Sequence, residues 1–383
     1  MISRISSPPP AVFGIGASEQ LGEELKALGL KKVLVVHGRV VKKTGIIDRL
    51  TGYIKDQGIE VVTYDRVSPD PPAEVVDEGA ELAKKEKVDG IVGVGGGSAL
   101  DSAKAINVLM GNPAPITRYH DKSIPLNPGI KLVLLPTTSG TGSEMNAISV
   151  VTDTEKDVKS GVVGGPCVAD LAIVDPSFTM GLPANITAVT GLDAFSHGVE
   201  AITSGFANPF SETLGEKAVQ LVCQYLPVAV KEPDNEEARI KLSFASMIAG
   251  KAFNDANVHL GHAMAHALGS YFHIPHGVAC AHVLPETVEH VVDDLPDKVK
   301  VVGKAMGVDV EGKAPAELGK TVGDAIRNLV KELGIETLKE VGVKKESLKD
   351  VVPLVFQDDC YIFMPNEITE EQVLQRLNNA YQK

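Results

Sequence analysis

The chain has no tryptophan, and only 4% of its residues are aromatic. Binders of sugars or single-stranded nucleic acid use aromatic rings as stacking platforms, so the composition argues against both. Positive charge is also short: 37 Lys and Arg face 50 Asp and Glu, a net charge of −13. Such a surface repels nucleic-acid phosphates and anionic membranes, and no Lys/Arg stripe offsets it. The four cysteines, Cys167, Cys223, Cys280 and Cys360, form no CxxC pair. That speaks against a thiol zinc knuckle or a thioredoxin-like site and fits free thiols in a reducing cytoplasm. No apolar run approaches the roughly 18 residues of a membrane span, and the first residues lack the apolar core of a signal peptide. What remains is 383 residues, 44% hydrophobic and 23% charged with 37 glycines, the profile of a soluble Gly-rich α/β protein of two or three domains.

The first half alternates two kinds of segment. Short apolar runs at Val33–Val36, Glu60–Tyr64, Ile91–Val94, Lys131–Leu135, Ile148–Val151 and Leu171–Val174 read as strands. Segments of helical spacing, such as Gly45–Asp56, Pro72–Lys85 and Ser98–Leu109, lie between them. Apolar strands separated by helices predict a parallel sheet covered on both faces. Asn112–Pro128, rich in proline and polar residues, reads as a surface excursion. After about residue 180 strand-like alternation nearly stops. Helices are expected at Ile186–Ser204, Pro209–Tyr225, Glu236–Asp255, Asn257–Ser270, Leu284–Val292, Asp297–Met306, Pro315–Leu333, Lys345–Val352 and Thr369–Ala380. The expected division is therefore an α/β domain at 1–182 and an all-helical domain at 183–383.

Two loops in the first half are suited to phosphate. In Gly95-Gly96-Gly97-Ser98, glycines leave the backbone bare where a strand meets a helix. A diphosphate can then approach the first amides of that helix. Ser98, with Asp101 three residues on, has the spacing of a capping box. The competing reading of this run is a plain tight turn. The second loop, Pro136-Thr137-Thr138-Ser139-Gly140-Thr141-Gly142-Ser143, supplies hydroxyls for phosphate or ribose. Two such loops at strand ends favour a dinucleotide crevice. Gly95, Gly96, Gly97, Ser98, Asp101, Thr137, Thr138 and Thr141 are the cofactor candidates.

The second half concentrates histidine. Of 10 histidines, four lie between residues 259 and 273, and His276 follows at once. Asp193 and His197 are four apart, and His259, His262 and His266 are spaced by three and four, so each set shares a helix face. Imidazoles and a carboxylate around a divalent cation that keeps an open position would make a Lewis acid for an alcohol or carbonyl oxygen. Separate surface and capping histidines are the competing reading, and spacing alone leaves His259 and His262 as rival ligands.

In combination these motifs resemble the iron-containing, or group III, alcohol dehydrogenase family. The resemblance spans roughly Phe13 to Tyr381 and rests on Gly95-Gly96-Gly97-Ser98 with Asp101 and Lys104, Pro136-Thr137-Thr138 through Gly142-Ser143-Glu144, Gly191-Leu192-Asp193 with His197, Gly261-His262-Ala263-Met264-Ala265-His266, and Pro275-His276-Gly277. It implies a Rossmann-like dinucleotide domain, an all-α metal domain with the dehydroquinate synthase-like architecture, and a cleft where nicotinamide meets metal. It implies metal ligands Asp193, His197, His262 and His276, with His266 beside them as a non-ligand and candidate proton relay. It implies NAD(H) or NADP(H) and one divalent cation, Fe(II) favoured over Zn(II), acting on a small alcohol or aldehyde. Nucleic acid and membrane are not expected partners, and a homodimer or larger homo-oligomer is.

Many NAD-preferring relatives carry an aspartate where this chain has Gly38, followed by Arg39. The resemblance therefore admits NADP(H), with Arg39 facing the 2′-phosphate. Two departures stand out. Met145-Asn146-Ala147 replaces the usual Val-Thr after Ser-Glu, and Asp358-Asp359-Cys360 leads to Met364-Pro365-Asn366 without the usual Asn-Pro-Arg. Asn146, Phe253, His259 and Cys360 are the candidate pocket residues, mildly polar, which points to short polar alcohols or diols. The alternatives are a sister activity of the glycerol dehydrogenase type and a non-catalytic protein that binds metal and nucleotide.

Overall fold

The computed structural model describes residues 5–6, 9–156 and 158–382. The chain forms two compact units: Ser7–Thr138 with Gly142–Met180, and Gly181–Lys383 with the short pieces Met1–Ser6 and Ser139–Thr141.

The first unit is built on strands β1 (Ala11–Phe13), β2 (Lys32–Gly38), β3 (Glu60–Val67), β4 (Gly90–Gly95), β5 (Lys131–Pro136), β6 (Ile148–Asp153), β7 (Val158–Val163) and β8 (Leu171–Val174), with helices α1 (Leu21–Ala27), α2 (Arg39–Lys43), α3 (Ile46–Asp56), α4 (Ala73–Glu86) and α5 (Gly97–Gly111). A six-stranded sheet runs β1-β8-β5-β4-β2-β3, and every pairing in it is parallel. Side chains alternate across it. Leu34, Val36, Ile91, Leu132 and Leu134 pack on one face with Ala80 and Ile106. Val33, Val35, Val92, Val94 and Val133 pack on the other with Leu21, Leu50 and Ile54. Both faces are buried, so the central strands read as unbroken apolar runs. Strand order reverses between β2 and β4, and open parallel sheets bind ligands outside the strand ends at such a switch.

The second unit is helical among its described residues: α6 (Ala184–Thr203), α7 (Pro209–Lys231), α8 (Glu236–Ala256), α9 (Leu260–Phe272), α10 (His276–Val291), α11 (Pro296–Ala305), α12 (Pro315–Glu332), α13 (Leu348–Gln357) and α14 (Glu370–Gln382). Every residue of α6 from Gly191 to Thr203 is buried, as expected of a helix enclosed by others. Phe195, Val199 and Ile202 of α6 join one core with α7, α8 and α10 to α12. A second core joins α9 and α10 to α13 and α14.

Several local expectations are corrected. β6 is a strand, as expected, but not of the parallel sheet; it pairs antiparallel with β7 in a separate two-stranded sheet. β1 was too short to register as a pattern. The proline-rich 112–128 stretch is not all surface, because a 3-10 turn at Ile116–His120 buries Ile116 and Tyr119. Ser98 does not cap α5: that helix begins at Gly97 with Gly96 as N-cap and no side-chain cap bond. Most consequentially, α10 begins at His276 rather than Leu284. Pro285 lies inside it, although proline usually marks a helix start.

Asp175, directly after β8, ties the first unit together. It accepts bonds from the amides of Gly16 (3.2 Å), Ser18 (3.1 Å) and Ser177 (3.0 Å) and from the Ser18 hydroxyl (2.6 Å). Burial pushes its pKa up, but the Ser18 and Ser177 donors outweigh that and leave it below the usual value. A carboxylate with a depressed folded pKa stabilises the fold above its unfolded pKa, and that contribution is lost as pH falls through the folded value. Asp175→Ala is expected to cost about 2–3 kcal/mol at neutral pH. The difference from the parent chain should shrink below about pH 4, as read by urea unfolding of both across that range.

Candidate metal centre and cofactor loops

Asp193, His197 and Glu200 lie on successive turns of α6, and His262 and His266 on successive turns of α9. His276 and Cys280 open α10, one turn apart. The helices converge on the Asp193 carboxylate. Its Oδ1 lies 3.7 Å from His197 Nε2, 3.8 Å from His262 Nε2 and 3.3 Å from His276 Nε2. A tetrahedral cation with bonds of about 2.1 Å spaces its ligand atoms by about 3.4 Å. Asp193 Oδ1 and His262 Nε2 are buried and have no hydrogen-bond partner, a costly arrangement that a cation would relieve. The donor set fits a divalent metal.

The buried carboxylate and the imidazoles are strongly coupled. Burial works against charge on Asp193, but the facing imidazoles, His197 first, outweigh it and hold the carboxyl well below its usual range. Burial pushes His197 down to about 4. Burial also works against charge on His262 and His276, but Glu200 and Asp193 raise the first, and Cys280 and Asp193 the second, to about 10. A cation binding there would displace protons from these two rings. The His197 ring stacks on Phe253 at 4.3 Å between centroids, which fixes its plane.

Sequence reasoning missed Glu200. It is fully buried, and its Oε2 bonds His262 Nδ1. That leaves Nε2 of the same ring to face Asp193, the outer-shell arrangement that orients a metal-binding histidine. Its Oε1 accepts from the amides of His259 (2.9 Å), Gly261 (3.0 Å) and His262 (3.3 Å), which stabilises the start of α9. A Cβ at Gly261 would lie 2.9 Å from Glu200 Oε2, so only glycine admits this approach. Burial raises the Glu200 pKa, but His262 and the other donors bring it down to about 2. A signal for it existed: Glu200 is seven residues after Asp193 and shares its helix face.

His266 Nδ1 lies 2.9 Å from Asp358 Oδ2. Asp358 in turn accepts from the Cys360 amide at 2.8 Å. Burial disfavours charge on Asp358, but His266 outweighs it and the pKa falls below the usual value. Asp358 thus fixes the His266 ring and directs its Nε2 away. The His266 side chain is 30% exposed and that of His276 is 41% exposed, whereas Asp193, His197 and His262 are buried. This is the side on which a ligand can reach the cluster.

The proposed pocket residues separate. Phe253 and Cys360 lie beside the cluster, on His197 and near His266, whose Nδ1 is 4.0 Å from Cys360 Sγ. His259 has no exposed surface; its Nε2 is bonded to the Thr203 hydroxyl at 2.9 Å. Asn146 belongs to the first unit. There its Oδ1 accepts from Lys104 Nζ at 2.9 Å, and its Nδ2 donates to the Gly142 carbonyl at 3.1 Å.

Among the cofactor candidates, Gly38, Gly95 and Thr137 stand at the C-terminal ends of β2, β4 and β5. These ends are brought level by the registers His37↔Val94 and Gly95↔Pro136. The Thr137 amide donates to the Gly95 carbonyl at 2.9 Å. Gly95 has φ 150°, and Gly96 lies against Thr138. Gly97 and Ser98 form the first turn of α5 and Arg39 that of α2. Asp101 is turned inward and binds the Ser143 hydroxyl (2.6 Å) and the Val150 amide (3.1 Å). Thr141 belongs to the second unit.

Comparison with known proteins settles the class. The profile described as "Iron-containing alcohol dehydrogenase" matches residues 8–176, and "Fe-containing alcohol dehydrogenase family, C-terminal" matches 187–381. The chain belongs to the iron-containing alcohol dehydrogenase family. It is 34% identical to a choline dehydrogenase of Bacillus subtilis over 95% of this chain and 91% of that protein. It is 32% identical to an NAD-dependent methanol dehydrogenase of Bacillus methanolicus over 97% and 98%. A solved 1,3-propanediol oxidoreductase superposes with a TM-score of 0.95 at 33% identity, covering 100% of both chains. This iron-containing alcohol dehydrogenase is thus an NAD(P)-dependent oxidoreductase that interconverts alcohols and aldehydes with the help of a divalent metal. Among the described residues no helix is long and apolar enough to cross a membrane.

Glu200→Gln keeps the acceptor for the α9 amides but removes the charge behind His262. Affinity for a divalent cation should fall about 10- to 100-fold with the circular dichroism spectrum unchanged, as measured by chelator competition. Unchanged affinity would remove Glu200 from the metal centre.

Proposed function

We propose that this protein reduces short polar aldehydes, and oxidises the matching primary alcohols or diols, at the Asp193–His197–His262–His276 cluster. The observation that carries the reading is the convergence of these side chains with buried, unpartnered Asp193 Oδ1 and His262 Nε2, beside the half-exposed His266. When bound, the cation supplies a Lewis acid for the substrate oxygen and the nicotinamide carries the hydride. The protein supplies alignment and proton transfer. With Asp358 holding the Nδ1 proton, a neutral His266 presents the lone pair of Nε2 and can take a proton from an alcohol or return one to an aldehyde oxygen. Phe253 gives one apolar contact, and His266 and Cys360 give polar ones. This mixture favours a small polar substrate over a long alkyl chain.

The relatives' names range from methanol to choline at nearly equal identity, so overall likeness does not select the alcohol. Fe(II) is the cation the family favours, and the same donors accept Zn(II). Gly38 ends β2 without a carboxylate, and Arg39 follows it; both features favour NADP(H) through the adenosine 2′-phosphate. A homo-oligomer, checked by analytical ultracentrifugation, and a reducing cytoplasm, suggested by four unpaired cysteines, complete the reading.

The test is anaerobic oxidation of NADPH and NADH by the Fe(II)- or Zn(II)-loaded protein against a panel of short aldehydes and ketones. Metal-dependent turnover of the polar members is expected, with NADPH used at least as well as NADH. Gly38→Asp should move the NADPH/NADH ratio of kcat/KM toward NADH by about tenfold. Silence across the panel with metal and cofactor bound contradicts the function, and an unchanged ratio contradicts the role of Gly38.

A further inference from the structure

The four ligands implied by the family resemblance are not the only donor atoms gathered at Asp193. One donor atom each from Asp193, His262, His276 and Cys280 lies within 4.8 Å of all the others, and His197 is outside that set. Cys280 follows His276 by one turn of α10, so both side chains leave the helix on one face. Its Sγ is 3.4 Å from His276 Nε2, the nitrogen that lies 3.3 Å from Asp193 Oδ1. Cys280 is 1% exposed. Two other members of the set, Asp193 Oδ1 and His262 Nε2, are buried, unpartnered and aimed into the same space.

We propose that Cys280 is a sulfur donor of the metal centre. The inference rests on the reading that the cluster holds a divalent cation. His276 Nε2 has one lone pair. It can accept the Cys280 thiol hydrogen or be given to a cation, not both. Once the cation takes it, the buried thiol loses its nitrogen acceptor, and the cation becomes the partner within reach. Ligation replaces the S–H bond by a sulfur–metal bond and releases one proton to solvent; no electron moves. The centre is then a mixed nitrogen, oxygen and sulfur site. A thiolate among its donors favours Zn(II) and Co(II) over harder cations. His197, held by its stack on Phe253 and 3.7 Å from Asp193 Oδ1, stays beside the cation as Cys280 joins it.

Cobalt(II) reports sulfur ligation directly, because a thiolate bound to it adds an intense near-ultraviolet charge-transfer absorption that nitrogen and oxygen donors do not. The full-length protein loaded with Co(II) should show this absorption. Cys280→Ser and Cys280→Ala should lose it while still binding Co(II), as counted by elemental analysis. Cys360→Ser should keep it. The proposal is overturned if the parent protein binds Co(II) without the absorption, if the Cys280 variants retain it, or if Cys360→Ser abolishes it. Failure of the parent protein to bind Co(II) at all would instead remove the metal reading, and this inference with it.

Discussion

The site depends on one buried carboxylate. Glu200 leaves α6 and uses one oxygen on the first amides of α9 and the other on His262 Nδ1. A helix start carries partial positive charge, and a carboxylate there is held strongly. The same contact that joins two helices therefore also sets the plane of an imidazole. Because α6 contributes Asp193 and His197 as well, three of the converging groups are positioned through this joint. An ionised carboxylate without exposed surface is tolerable only when it is well hydrogen-bonded, and both oxygens of Glu200 accept.

The cofactor half is organised by a different constraint. Parallel pairing brings the ends of β2, β4 and β5 level, so loops far apart in sequence share one edge. Glycine at the end of β4 leaves that edge bare, and the inward bonds of Asp101 to Ser143 and Val150 anchor the second loop to α5. Asp101 is thus a structural clasp for the loops.

Much of this was legible from residue pattern. Buried parallel strands write themselves as apolar runs, and the two phosphate-type loops follow them. Helical spacing placed Asp193 with His197 and His262 with His266. What stayed hidden has physical causes. Pro285 imitates a helix start, so α10 was read eight residues short, and the shared face of His276 and Cys280 was lost with it. Glu200 looked like an ordinary acidic residue, because only tertiary contact brings it under the start of α9. His259 looked like a pocket residue, but its place at the entry to that helix buries it against Thr203. Asp358 acquires its partner 92 residues away in sequence, beyond the reach of any local pattern.

If the converging side chains form a cation site, their buried polar atoms are satisfied only when it is filled. Thermal unfolding of the metal-free protein, repeated with rising Fe(II) or Zn(II) and then with excess chelator, tests this directly. A cation that binds only the folded chain raises stability by RT ln(1 + [L]/Kd). The Tm is expected to climb with metal concentration and to return when the metal is withdrawn. A Tm indifferent to both cations would contradict it.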